Sequence, residues 1–178
     1  MDRTRISLAL ALLMAAALFV ATGCQSKAVK KEMTNIKIAY LEIEKLWNEG
    51  DLSVADQVYA PGMVLHFRGK SYPFGPEEAK KTVSAWRTAF PDSKFKIEDI
   101  LSEGNKVAVR YKFTGTHQGK FWGIPPTAKT ISVTQINIVR FENGKMAEGW
   151  EDYDEAGMKA QLGMVLVPVE EYASSLRE

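Results

Sequence analysis

Four side chains late in the chain, Glu148, Trp150, Asp152 and Asp154, stand two residues apart in a run that reads as a strand over 146–154. Side chains two apart on a strand share a face. These three carboxylates and the indole therefore point one way, and Gly149, Glu151 and Tyr153 point the other. A carboxyl group buried in an apolar wall keeps its proton to higher pH than one in water, which suits it to take and return protons near neutrality. The strand 130–141 alternates in the same manner. It sets Gln135 and Asn137 on one face with Ile131, Val133 and Val139. An amide pair among β-branched residues suits hydrogen bonding to a ligand in an apolar wall, or satisfies neighbouring backbone. His66 closes an earlier apolar run, where it can orient a carbonyl or pair with a carboxylate.

Each of these residues also has a plain structural role open to it. Asp154 directly precedes a helical stretch and can serve as its N-cap. Asp152 can be an exposed carboxylate at a strand end, and Glu148 a solvated or paired strand residue. His117 lies in GTHQG, where it can fix the loop leading to Pro125-Pro126. Arg110 shares a face with Lys112 and Thr114, which reads as a solvated face. Trp47, Trp86 and Trp150 read first as core or cavity lining.

Other chemistries are excluded by composition. The 178 residues hold one cysteine and two histidines, so no internal disulfide and no multi-cysteine zinc pattern exists, and no metal site is expected. The 23 Lys+Arg against 22 Asp+Glu leave a net charge of +1, without the basic excess of nucleic-acid binders. GTHQGKFWG does not run from a strand into a helix, so it is no nucleotide fingerprint.

The elements that must position these residues follow from periodicity. Ile36, Ala39, Tyr40, Ile43 and Trp47 share one helical face, with Thr34 as N-cap and Gly50 as the stop. A short helical piece covers 52–60 and ends at Pro61-Gly62; MVLHF, 63–67, reads as a strand, and RGKSYPFG as a loop. Gly75-Pro76-Glu77-Glu78 opens a helix whose buried stripe is Ala79, Val83, Trp86 and Phe90. Strands follow at 95–102, 107–117, 130–141 and 146–154, the last pair joined through Asn143-Gly144, a strong hairpin signal. A final helix at about 155–162 ends at Gly163. The order is α+β: helices first, then an antiparallel meander that buries one face on them.

The N-terminus reads as an address. Arg3 and Arg5 precede the apolar run LALALLMAAALFV, too short to cross a bilayer and of the right length for a secretory signal. The run ends in Val20-Ala21-Thr22-Gly23-Cys24, which resembles a bacterial lipobox apart from Ala21, where Leu is usual. The expectation is a signal peptide at 1–23 and lipidation of Cys24. A flexible tether would span 24–34, the working domain 35–165 and a C-terminal tail 166–178. By resemblance to the sorting rule, Gln25 implies the bacterial cell envelope, with attachment to the outer membrane facing the periplasm in a Gram-negative cell. Removing Arg3, Arg5 and Asp2 with the signal leaves a formally neutral protein.

Between about 36 and 163 the chain resembles the SnoaL-like polyketide cyclases, or ester cyclases, of the nuclear transport factor 2-like superfamily. The likeness rests on WNEGDLSVADQVYAPGMVLHF, GPEEAKKTVSAWRTAFPD, GTHQGKFWGIPPTAKT and RFENGKMAEGWEDYDEAGMKAQLG. Ala128, where the family usually has Gly, and the bulky Trp122 depart from it. The resemblance implies a cone-shaped curved sheet wrapped on helices around a deep apolar cavity. It implies an intramolecular aldol closure or isomerisation driven by a cavity aspartate, with no cofactor. Asp154 is the first candidate for that aspartate and Asp152 the second. His66, Gln135, Asn137, Trp150 and Trp47 are the candidates for contacting a small hydrophobic carbonyl compound. Relatives also imply a homodimer. The alternative is a non-catalytic ligand-binding or assembly module using the same cavity, because a lipid-anchored protein stands apart from the cytosolic synthases that make polyketide chains.

Overall fold

The structure, a computed structural model, describes residues 26–164. The signal segment 1–23, Cys24 and the tail 166–178 lie outside the described residues. Helix α1 runs from 26 to 49, α-helical to 41 and π-helical over Glu42–Glu49. It begins eight residues before the N-cap expected at Thr34. Lys, Ala, Glu and Met in 27–33 are good helix formers. The Thr34 hydroxyl donates back to the Lys30 carbonyl at 2.9 Å instead of capping. The Glu32 carboxylate accepts from the Gly104 N–H at 2.7 Å, which ties this turn to the sheet. The buried stripe also shifts. Ala39, Ile43 and Leu46 are buried, whereas Tyr40 is exposed. These three buried residues keep the i, i+4, i+7 spacing of one helical face, and Tyr40, one residue after Ala39, falls beside it. Gly50 ends the helix in the left-handed region at φ 79°.

A 3-10 turn at Leu52–Val54, capped by Asp51, leads into α2, Ala55–Val58, and strand β1, Tyr59–Phe67. The stretch 68–75, expected as a loop, contains strand β2, Lys70–Pro73. Arg68 and Gly69 both have positive φ, 53° and 70°, which closes a two-residue hairpin. Arg is an uncommon first residue for such a turn, so the usual Asn-Gly signal is missing. Helix α3 spans Pro76–Ala89 with Pro76 in its first turn. Strands β3 Lys94–Glu103, β4 Lys106–Thr116, β5 Thr130–Glu142 and β6 Lys145–Tyr153 follow, then α4, Glu155–Gln161. Asn143 and Gly144, at φ 49° and 75°, form the expected hairpin turn between β5 and β6.

The six strands form one sheet in the order β2-β1-β6-β5-β4-β3. The sheet is mixed: β1 runs parallel to β6 and every other pair is antiparallel. Register shifts at Tyr59/Val64, Ile97/Asp99 and Arg140/Phe141 mark irregularities that bend it. Its inner face packs on α1 and α3. Trp86 of α3 and Phe90, which caps its C-terminal end, meet Phe113 and Phe121 edge-on at 4.9–5.4 Å, each contact adding about 1 kcal/mol beyond burial. Where β6 ends, α4 takes over the flank of β5. The Gln161 amide accepts from the Ser132 N–H at 2.7 Å and donates to its carbonyl at 3.1 Å. These bonds replace ladder bonds that a longer β6 would have made.

Candidate active site

A cavity of about 530 Å³ lies between the inner sheet face and helices α1 and α3. Alternation along each strand decides what enters it. From β6 come Gly149, Glu151 and Tyr153; from β5 come Gln135, Asn137 and Val139; from β4 comes Tyr111. Strand β1 supplies Met63, Leu65 and Phe67, and α1 supplies Glu42 and Trp47. Gly149 keeps this wall open. A Cβ there would stand 3.1 Å from the end of Met63 and 3.4 Å from Leu65. Lys81, Lys120 and Trp122 line the cavity from exposed positions and form its rim.

Two carboxyl groups line this aromatic interior. Burial pushes the Glu151 carboxyl up from 4.5 to about 7; the Glu42 charge adds to the rise and hydrogen bonding to Gln135 opposes it. Glu42 is also raised by burial, against the pull of two donors. Its Oε1 accepts the Tyr59 hydroxyl and, at 3.2 Å, the Trp47 indole N–H. Gln135 Nε2 donates to Asn137 Oδ1 at 3.0 Å, and Asn137 Nδ2 donates to the Tyr111 hydroxyl at 3.0 Å. This chain leaves the Tyr111 O–H proton to be donated elsewhere. Burial, followed by the Glu151 and Glu42 charges, raises Tyr111 well above the ordinary tyrosine value, so it stays a neutral donor. The interior therefore combines a carboxyl that titrates near neutrality, a second held by two donors, and a neutral phenol. Together these can abstract a proton from carbon and stabilise the charge that develops on an adjacent oxygen.

The sequence-derived candidates divide between the two faces of the sheet. Trp47, Gln135 and Asn137 line the cavity. Asp154 does not enter it. This residue caps α4, its carboxylate accepting the Gly157 N–H at 2.8 Å. Asp152 is exposed on the opposite face, beside Ile136 and Ile138 in a second, shallower depression. The expected catalytic aspartates are thus corrected. The acidic face 148/152/154 is the outer one, and the carboxylate that faces the cavity from β6 is Glu151. His66 is outside as well. Its Nε2 lies 2.9 Å from Glu148, its Nδ1 3.0 Å from Ser71, and its ring stacks on Trp150 at 5.2 Å. Glu148 also accepts from Arg140 Nε at 2.8 Å, and these partners hold its carboxyl below the usual range. Trp150 touches the cavity lining, but its ring belongs to this outer cluster, 36% exposed.

His117 is fully buried against Phe90 and bonds Thr127 Oγ1 at 3.1 Å; its backbone pairs with Lys129 and Ala128. It fixes the 117–129 loop. Arg110 pairs with Glu98 on the outer face. Sequence reasoning missed Glu151, Glu42, Tyr59 and Tyr111. The available signal was Gly149 beside Glu151: a glycine inside a strand marks a place where something must fit. Trp150, Ile136 and Ile138 obscured it by giving the outer face an apolar look.

The structure is thus an α+β fold, N-terminal helices packed on a six-stranded mixed sheet around an aromatic cavity that holds two carboxyl groups. The family model for SnoaL-like polyketide cyclases matches residues 37–162, and the chain belongs to that family. Over 93 residues it is 34% identical to the aklanonic acid methyl ester cyclase DnrD of Streptomyces peucetius, covering 50% of this chain and 62% of that one. The chain spans less than two thirds of that relative's length. Among solved structures it is similar to AclR of Streptomyces galilaeus, which carries a provisional hydroxylase assignment. The TM-score there is 0.66 at 27% identity, over 82% of this chain and 92% of that one. It is also similar to IdmH of Streptomyces antibioticus, provisionally a polyketide cyclase, at TM-score 0.62 and 28% identity, over 73% and 99%.

Proposed function

We propose that the protein is a cofactor-free cyclase or isomerase that moves protons on a small hydrophobic carbonyl compound, with Glu151 as the general base. The observation that carries this reading is a carboxyl group lining an aromatic cavity and pushed by burial to about 7. At neutral pH such a group is part base and part acid, the condition in which proton transfer to and from carbon is most effective. Tyr111 would supply a hydrogen bond to the enolate oxygen. Membership of the cyclase family supports the reaction class, and the aromatic walls support an apolar substrate.

The test uses 2-tetralone, a bicyclic ketone with an acidic proton next to its carbonyl. Its deuterium uptake in heavy water is followed by proton NMR. The wild type is expected to speed exchange, and Glu151→Gln to lower that rate by about 10²-fold to 10⁴-fold. Binding detected by quenching of tryptophan fluorescence without any exchange would support the rival module instead. The lipobox-like segment ending at Cys24 motivates that rival. It also supports attachment to the bacterial envelope through lipid on Cys24. Cys24→Ser is expected to release the protein from the membrane fraction; unchanged fractionation would sink the anchor.

A further inference from the structure

On the outer face of the sheet, away from the cavity, a hydroxyl, an imidazole and a carboxylate stand in a row. Ser71 Oγ lies 3.0 Å from His66 Nδ1, and His66 Nε2 lies 2.9 Å from Glu148 Oε1. Strand pairing brings them together. Ser71 of β2 stands opposite His66 of β1, and Glu148 of β6 stands opposite Val64, which shares a face with His66. The hydrogens follow from the partners. Glu148 is held as a carboxylate by His66 and by Arg140 Nε at 2.8 Å. A carboxylate only accepts, so His66 Nε2 carries the ring hydrogen and donates it to Glu148. Nδ1 is left with its lone pair toward the Ser71 hydroxyl. Trp150 stacks on the imidazole at 5.2 Å and 18° and fixes its plane. A hydroxyl within reach of a base that a third group orients is the arrangement of an activated nucleophile. The two ring nitrogens exchange the places they take in serine proteases, but the roles are kept.

An oxyanion donor stands beside the hydroxyl. Ladder bonds alternate from one antiparallel pair to the next. The Phe74 N–H donates to the Met63 carbonyl at 2.8 Å, so the pairs 65/72 and 67/70 bond while 64/73 and 66/71 do not. Ser71 therefore turns its N–H away from β1, and β2 is the open edge of the sheet. The nucleophile's own N–H is one of the donors that hold a tetrahedral oxyanion in serine proteases. On the other side, Trp150 continues into the shallow outer depression with Ile136 and Ile138, 49% and 41% exposed. That strip offers an apolar bed for an acyl chain.

We propose that Ser71, His66 and Glu148 form an esterase site on the outer face, for esters with an apolar acyl chain. Ser71 is the nucleophile, His66 the base and Glu148 a positioning residue. The site is independent of the acid/base reading of the cavity. The Ser71 O–H proton passes to His66 Nδ1 as Oγ bonds the ester carbonyl carbon, whose oxygen takes the electron pair. The carbonyl re-forms, the C–O bond to the alcohol breaks, and the leaving oxygen takes the proton from His66. Water then attacks the acyl-Ser71 carbonyl, giving its proton to His66. The Oγ–carbon bond breaks, Oγ recovers that proton, and the acid is released.

The test is hydrolysis of p-nitrophenyl butyrate by the full chain, followed by absorbance. Ser71→Ala, at an exposed edge position, is expected to lower kcat about 10²-fold. In Glu148→Gln the amide can donate to Nε2, which moves the ring hydrogen to Nδ1, where it blocks the base. That variant is expected to lose kcat with KM within about twofold, while Glu148→Asp, still only an acceptor, retains more. A merely structural carboxylate would not separate Gln from Asp in kcat alone. Wild-type hydrolysis no faster than buffer, or undiminished in Ser71→Ala, would overturn the proposal; full kcat in Glu148→Gln would overturn the role of Glu148. Should Ser71→Ala not fold, phenylmethylsulfonyl fluoride decides on the wild type. Peptide mass spectrometry is expected to find the sulfonyl group on Ser71, and label confined to other residues would overturn the assignment.

Discussion

A carboxyl group walled by aromatic rings loses most of the hydration that stabilises its charge, so its neutral form persists toward neutral pH. Glu151 meets that condition; Asp152 and Asp154, one and three residues further along the chain, do not. Asp152 stays exposed to water, and Asp154 gives its oxygen to a helix N-terminus. The contrast yields a prediction at this scale. Asp154→Ala should cost about 1 kcal/mol of stability through the lost cap. It should leave 2-tetralone exchange unchanged, as read by urea unfolding alongside proton NMR. A variant of normal stability that has lost exchange would return Asp154 to the chemistry. Strand alternation made the two faces of β6 legible in the sequence. Which face turns inward was not legible, because Trp150 outside and Glu151 inside reverse the usual polarity. Gln135, Asn137 and Trp47 were legible because their neighbours have the ordinary pattern.

At the scale of elements, the long strands and their hairpin stood out because period-2 alternation and Asn143-Gly144 are local signals. The parallel pairing of β1 with β6 is not local. It joins segments about 85 residues apart, and no spacing rule in the chain announces it. Strand β2 was hidden by an Arg-Gly turn, and the early start of α1 by a Lys-rich run that reads equally as a tether. Glu42 lies three residues after buried Ala39 and one before buried Ile43, so ordinary helical spacing already carries it to the cavity side of α1. Its charge hid it, because a carboxylate in a helix reads by type as solvent-facing. The closing Gln161-Leu162-Gly163 does have a local explanation. The Gln161 amide satisfies the Ser132 backbone where β6 stops.

At the scale of the whole molecule, the interior carboxyl must be visible in global stability, because any group with a different proton affinity in the folded and unfolded states makes unfolding pH-dependent. The sign follows from the direction of the Glu151 shift. Its folded value, about 7, lies above its ordinary 4.5, so between these the folded protein holds a proton that the unfolded chain has released. Stability due to Glu151 is therefore intact below about pH 4.5, declines as pH rises, and has been lost above about pH 7. The full difference is about 3 kcal/mol. Glu151→Gln, which cannot ionise, removes that decline. The most direct test of the interior acid is urea unfolding of wild type and Glu151→Gln at intervals from pH 4 to 9. The account predicts that the variant gains on the wild type by about 3 kcal/mol between pH 4.5 and 7, with the gap constant above. Parallel curves across that range would mean that Glu151 titrates as it would in water, and would contradict the account.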